Sequence, residues 1–147
     1  MTSFLMSEDL LKGWQVLVVD DEPDSLEVAQ ELLEMCGATV LTASNGREAL
    51  DKAGQYRPRF ILSDLSMPDM SGWQLRRALT DNLATKSIPV IALTAHAMQG
   101  DRELAFAAGF HNYLSKPLIP ETFINNVLTL LMDIPSIAHD LTQKNGG

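Results

Sequence analysis

Acidic, hydroxyl and amine side chains recur in this sequence directly after short apolar runs, and together they could handle a charged oxygen ligand. Val16-Leu17-Val18-Val19 is followed by Asp20-Asp21-Glu22, and Phe60-Ile61-Leu62 by Ser63-Asp64. Val90-Ile91-Ala92-Leu93 leads into Thr94-Ala95, and Asn112-Tyr113-Leu114 into Ser115-Lys116-Pro117. Carboxylates brought together repel one another and raise at least one pKa unless a cation intervenes. Oxygen-only ligands suit a hard ion, and Mg²⁺ takes one or two carboxylates with waters and phosphate oxygens. Asp20, Asp21 and Asp64 answer that description. Lys116 supplies a mobile point charge that can pair with a carboxylate and then with a phosphoryl oxygen, while Thr94 can donate a hydroxyl hydrogen to another such oxygen. A metal, an ammonium and a hydroxyl around one carboxylate would stabilise the charge spread over a phosphoryl group in transfer. Asp64 would be the nucleophile and would form an acyl phosphate.

Taken singly, each residue has a plainer reading. An Asp pair at a strand end is common as a helix cap. A Lys-Pro step is usually a loop with a solvated amine, and a strand-end threonine often bonds to backbone. Met67-Pro68-Asp69 could simply be a turn, which Pro and Asp favour. These readings weaken because the features occur together, each at the same end of its strand.

The apolar runs lack alternation, which suggests strands buried on both faces of a parallel sheet. Ala38-Thr39-Val40-Leu41-Thr42 and Asn112-Tyr113-Leu114 are the two weaker strand candidates. Between the runs lie helical patterns over 23–35, 45–53, 71–83, 98–108 and 121–132. Leu26, Ala29, Leu32 and Leu33 are the inward positions of the first, which Pro23 opens and Gly37 closes. Ala49 and Leu50 serve the second, and Trp73, Leu75, Ala78 and Leu79 the third. Leu104, Ala105 and Ala108 serve the fourth, closed by Gly109, and Phe123, Ile124, Val127, Leu128 and Leu131 the fifth. Strand and helix alternate five times, the signature of a doubly wound parallel α/β sheet with right-handed crossovers. Ligands in such sheets bind beyond the carboxyl ends of the strands, which is where the chemistry-bearing residues fall. One domain is expected over 14–132, with an N-terminal extension over 1–13 and a loosely packed C-terminal tail over 133–147, where apolar periodicity fades.

Composition narrows the function. With 147 residues, 46% apolar and 20% charged, the chain can bury a continuous core. A formal net charge of −8 with no basic run argues against a nucleic-acid surface. The single cysteine, Cys36, admits no intrachain disulfide and reads as a small buried hydrophobe. No stretch approaches the roughly 20 apolar residues that span a bilayer, and the start of the chain has no signal-peptide pattern. A cytoplasmic protein that binds neither nucleic acid nor membrane is expected.

Val16-Leu17-Val18-Val19-Asp20-Asp21-Glu22-Pro23, Leu62-Ser63-Asp64-Leu65-Ser66-Met67-Pro68-Asp69-Met70-Ser71-Gly72, Ile91-Ala92-Leu93-Thr94-Ala95 and Tyr113-Leu114-Ser115-Lys116-Pro117 resemble the receiver domain of bacterial two-component response regulators. The match runs from about Gln15 to Met132 with every signature position filled. The resemblance implies a flavodoxin-like fold of strand order 2-1-3-4-5. It implies Asp64 as phosphoacceptor, Asp21 and Asp64 as Mg²⁺ ligands, Asp20 acting through water, and the Ser66 backbone carbonyl completing the coordination. Lys116 would bind the phosphoryl oxygens, Thr94 would move toward them, and Tyr113 would be the switch aromatic whose rotamer follows. Ser66 and His96, each two residues beyond Asp64 and Thr94, would border the path of the hydrolytic water. The donor would be a phosphohistidine on a sensor histidine kinase or histidine phosphotransfer protein. Output would pass to a protein target at the face of the fourth helix, fifth strand and fifth helix, where Ala97, Met98, Phe106, Ala107 and Phe110 offer apolar area. The protein would then be a phosphoacceptor switch rather than an enzyme. Rival readings are a receiver module of a larger hybrid kinase and an unphosphorylated receiver-like scaffold. The short extensions favour a free-standing protein, and the filled site disfavours the scaffold. A Mg²⁺-dependent aspartyl-phosphate phosphatase would want Asp-x-Asp after the first strand and a cap domain. A flavodoxin-type carrier would want a Ser/Thr/Gly-rich loop where this chain has Asp20-Asp21-Glu22-Pro23.

Overall fold

Backbone pairing explains the buried apolar runs: five short strands lie parallel in one sheet, and their hydrogen bonds satisfy peptide groups that burial removes from water. The computed structural model describes residues 10–95 and 99–145. The strands are β1 (Gln15–Val19), β2 (Thr39–Ala43), β3 (Phe60–Asp64), β4 (Val90–Thr94) and β5 (Asn112–Ser115). They are ordered β2-β1-β3-β4-β5, and every pair is parallel. The helices α1 (Pro23–Met35), α2 (Gly46–Tyr56), α3 (Gly72–Thr80), α4 (Gln99–Ala107) and α5 (Pro120–Leu131) alternate with them, and α6 (Pro135–Asn145) follows.

Side chains point alternately to the two faces of a strand, and this divides the core. Val16, Val18, Phe60, Leu62, Ile91 and Leu93 pack on one face, with Ala29 and Leu33 of α1 and Phe123, Val127 and Leu128 of α5. Leu17, Val19, Ile61, Val90 and Ala92 pack on the other, with Ala49 and Ala53 of α2, Leu75 and Leu79 of α3 and Ala105 of α4. Pro23 begins α1, whose N-cap Glu22 makes no side-chain cap bond. Asn45 caps α2 by accepting from the Glu48 N–H at 2.8 Å, and Ser71 with Gln74 forms a reciprocal capping box on α3. Gly37 and Gly109, at φ of 94° and 99°, close α1 and α4 as anticipated.

Three expectations are corrected. Leu104 is 59% exposed and Ala108 is also exposed, so Ala105 alone of the three assigned inward positions on the fourth helix is buried. Phe110, considered for an output surface, is buried and meets Trp73 edge-on with ring centroids 5.5 Å apart. The C-terminal tail is not loosely packed: Ile134, Ile137 and Leu141 join the α1/α5 core together with Leu10 and Leu11 of the N-terminal extension and with Trp14. Arg59, just before β3, ties this end together. Its guanidinium lies 5.2 Å from the Trp14 ring centroid, pairs with Asp140 and donates to the Ser136 carbonyl at 3.3 Å.

Candidate functional site

All the assigned acidic, hydroxyl and amine residues within the described chain come from the carboxyl ends of β1, β3, β4 and β5. Asp20 and Asp21 follow β1, Asp64 is the last residue of β3, Thr94 the last of β4, and Lys116 follows β5. Strand pairing continues through the site. The Leu65 N–H donates to the Leu93 carbonyl at 3.1 Å, and the Lys116 N–H to the Thr94 carbonyl at 2.8 Å. The lysine therefore hangs on the backbone of the threonine. The Lys116-Pro117 peptide is cis.

Asp20 and Asp64 are 1% and 5% exposed, whereas Asp21 faces solvent. One carboxylate oxygen from each of Asp20, Asp21 and Asp64 falls within 4.8 Å of the others. Lys116 Nζ stands 2.7 Å from Glu22 Oε1, 2.8 Å from Asp20 Oδ2 and 3.3 Å from Asp64 Oδ2. Backbone amides fix the acids: the Glu22 N–H donates to Asp20 Oδ1 at 2.9 Å, and the Ser66 N–H to Asp64 Oδ1 at 3.2 Å.

Burial pushes the Asp64 carboxyl up to about 6; the neighbouring Asp20 charge adds to this, while the Ser66 amide and Lys116 oppose it. The lysine does not win because its ammonium leans toward Asp20 and Glu22. Burial would lower the Lys116 pKa, but close pairing with Asp20, the hydrogen bond to Glu22 and the charge of Asp64 overcome it and raise the pKa. The Lys116 hydrogen bond holds Glu22 below the usual carboxylate range.

The donor set suits a hard divalent cation. It is all oxygen, it gathers like charges, and Asp20 Oδ2 is buried with no aligned hydrogen bond among the described residues, although Lys116 pairs with it ionically. Tyr113 is half-buried against the α2/α3 core. Ser66 is exposed beside Asp64. His96, Ala97 and Met98 lie outside the described residues.

Two contributors escaped the sequence reading. Glu22, the third acid of the Asp20-Asp21-Glu22 run, makes the shortest contact to Lys116. The signal for it was adjacency to the Asp pair. Gly72 is the other: a Cβ there would lie 2.3 Å from the Asp64 carbonyl oxygen and 2.8 Å from Leu65 Cα. Its N–H donates to the Leu65 carbonyl at 3.0 Å, so α3 starts directly against the turn that follows Asp64.

The family model described as response regulator receiver domain matches residues 16–128. The polar-differentiation response regulator DivK of Brucella anthropi is 37% identical over 118 residues, covering 80% of this chain and 96% of that protein. The chemotaxis response regulator CheY4 of Vibrio cholerae superposes with a TM-score of 0.75 at 32% identity, over 80% of this chain and 98% of its own. The receiver domain of a sensor histidine kinase from Pseudomonas aeruginosa, solved with a magnesium ion in its active site cleft, gives a TM-score of 0.70 at 32% identity, over 80% of this chain and 95% of its own.

Proposed function

This chain belongs to the response regulator receiver domain family and is a phosphorelay receiver, and from that premise we propose that Asp64 is the phosphoacceptor and that Asp20, Asp21, Thr94 and Lys116 serve it. The observation that carries the assignment is convergence: a buried carboxylate at the end of a central strand, with a lysine amine at 3.3 Å and two further acids within 4.8 Å. An Asp64 carboxylate oxygen attacks the phosphorus of a phosphohistidine. The new O–P bond forms as the N–P bond breaks, and the imidazole leaves with the electron pair. Lys116 shifts its ammonium onto the phosphoryl oxygens, and the Thr94 hydroxyl hydrogen-bonds another of them. The Ser66 amide, already on Asp64 Oδ1, holds the carboxylate plane during attack.

Family members bind Mg²⁺ at an acidic site. Here Asp20, Asp21 and Asp64, with the Ser66 backbone carbonyl, would hold it, and the ion would neutralise phosphoryl oxygen charge. Ser66 and His96 tune hydrolysis, and Tyr113 reports the state of Thr94. The donor is a sensor histidine kinase or histidine phosphotransfer protein. A downstream protein docks on α4, β5 and α5, where Leu104, Phe106 and Ile119 are exposed. Among the described residues no helix is long and apolar enough to cross a membrane. The proposed setting is the cytoplasm, and the formal net charge of −8 argues against a nucleic-acid partner. A role as one module of a hybrid kinase is supported by the likeness to a kinase's own receiver domain.

The test is intact-mass analysis after incubation with acetyl phosphate and Mg²⁺, beside Asp64→Asn. A gain of one phosphoryl mass in the unmodified protein alone, abolished by chelator, is expected. No gain with acetyl phosphate or with a competent phosphohistidine donor would move the protein to the scaffold reading.

A further inference from the structure

We propose that Glu22 is a positioning residue that holds the Lys116 ammonium back from Asp64 and so governs how readily the lysine reaches an incoming phosphoryl group. This rests on Asp64 being the acceptor. The three contacts of Lys116 Nζ are graded, at 2.7 Å to Glu22, 2.8 Å to Asp20 and 3.3 Å to Asp64. The longest is to the carboxylate that the lysine must eventually serve.

Glu22 differs from the other two partners. It stands outside the converging group of Asp20, Asp21 and Asp64, and its carboxylate has no partner but Lys116 among the described residues. Its backbone is fixed independently of its side chain. The Glu22 N–H donates to Asp20 Oδ1 at 2.9 Å, and its carbonyl accepts from the Leu26 N–H at 3.1 Å. The Glu22 side chain is 62% exposed, while that of Lys116 is 7% exposed. The lysine stem is therefore enclosed, and its ammonium is divided between a wet carboxylate at the rim and the buried pair beneath. An arriving phosphoryl oxygen competes with Glu22 for that ammonium. Water screens the exposed carboxylate, so the competition is modest in size.

Glu22→Gln removes the charge and leaves the backbone contacts in place. Phosphorylation of Asp64 by acetyl phosphate at saturating Mg²⁺ should quicken about threefold, with unchanged thermal melting. Loss of an anion near the site could also favour an anionic donor without involving the lysine, and a double-mutant cycle separates the two. In a Lys116→Met background, Glu22→Gln should change the rate by less than about 1.5-fold if the residue acts through Lys116. The same threefold gain in both backgrounds, or a wild-type rate for Glu22→Gln alone, overturns the proposal. Should Lys116→Met react too slowly for a ratio, the same cycle is read as equilibrium binding of beryllium fluoride, a phosphoryl mimic, with Mg²⁺. Tightening by Glu22→Gln only where Lys116 is present supports the proposal, and equal tightening in both backgrounds overturns it. Failure of the unmodified protein to accept any phosphoryl group is a separate outcome that removes the acceptor reading and this proposal together.

Discussion

As the proposed phosphoacceptor, Asp64 would carry two demands that conflict in the absence of a cation: burial enough to hold a labile acyl phosphate and ionisation enough to attack. Burial leaves its carboxyl at about 6, above the ordinary 3.8. A raised carboxyl pKa means that the folded state binds more protons than the unfolded state between those values, so stability falls as pH rises through that window. The penalty is absent below about 3.8 and complete above about 6. In chelator, Asp64→Asn should therefore stabilise the protein at pH 8 by on the order of 2 kcal/mol, shrinking to about a third of that near pH 4.5. Urea unfolding at the two pH values checks this, and an equal gain at both would show that the carboxyl is not raised. Glu22 belongs to the same scale. It was visible as an acid but its partner was not, because a contact across 94 positions depends on the sheet.

Elements deliver these residues, and the contacts between elements are tight where Asp64 sits. Helix α3 begins with Gly72 under the Asp64 carbonyl, with no space for a methyl group. Gly72→Ala should force the helix start away from Leu65 and cost about 1–3 kcal/mol by overpacking. It should also slow acceptance of phosphoryl at Asp64, since the turn bearing the Ser66 amide must shift. Denaturant midpoints and phosphorylation rates on one preparation test this, and a variant of full stability and full rate would show that the turn yields freely. The strands were legible because buried parallel strands demand unbroken β-branched runs, and Asn45, Ser71, Gly37 and Gly109 marked helix limits. The inward face of α4 was not. In a helix of nine residues the neighbours Leu104 and Ala105 compete for one stripe, and the small Ala105 fits against the sheet while Leu104 remains outside.

At the scale of the whole molecule, the chain is closed at the end opposite its chemistry. Trp14 and Arg59 precede β1 and β3, so α6 and the N-terminal segment meet near the amino ends of strands whose carboxyl ends hold the acids. Leu141 is 1% exposed among Leu10, Leu11 and Ile137. Leu141→Ala should cost about 2–4 kcal/mol through lost burial and a residual cavity. The phosphorylation rate should stay within about twofold of the unmodified protein, because additivity holds for sites without shared partners. A large loss of rate at full folding would mean that the clasp reaches the site.

The sequence by itself determined the five strands and the five helices that follow them, their alternation and the set of side chains available for chemistry. Those properties follow from local rules: apolar period, capping chemistry, the backbone limits of Pro and Gly, and residue type. It also placed the acids, the threonine and the lysine at one edge, since a parallel sheet leaves no other arrangement. Tertiary structure decided what depends on distance between remote segments. It brought Lys116 closer to Glu22 than to Asp64, raised the Asp64 carboxyl through burial, and required glycine at position 72. It also made a helix of the tail, because Ile134, Ile137 and Leu141 are too sparse to hold one alone and gain their burial in the core cluster that also holds Leu10, Leu11 and residues of α1 and α5.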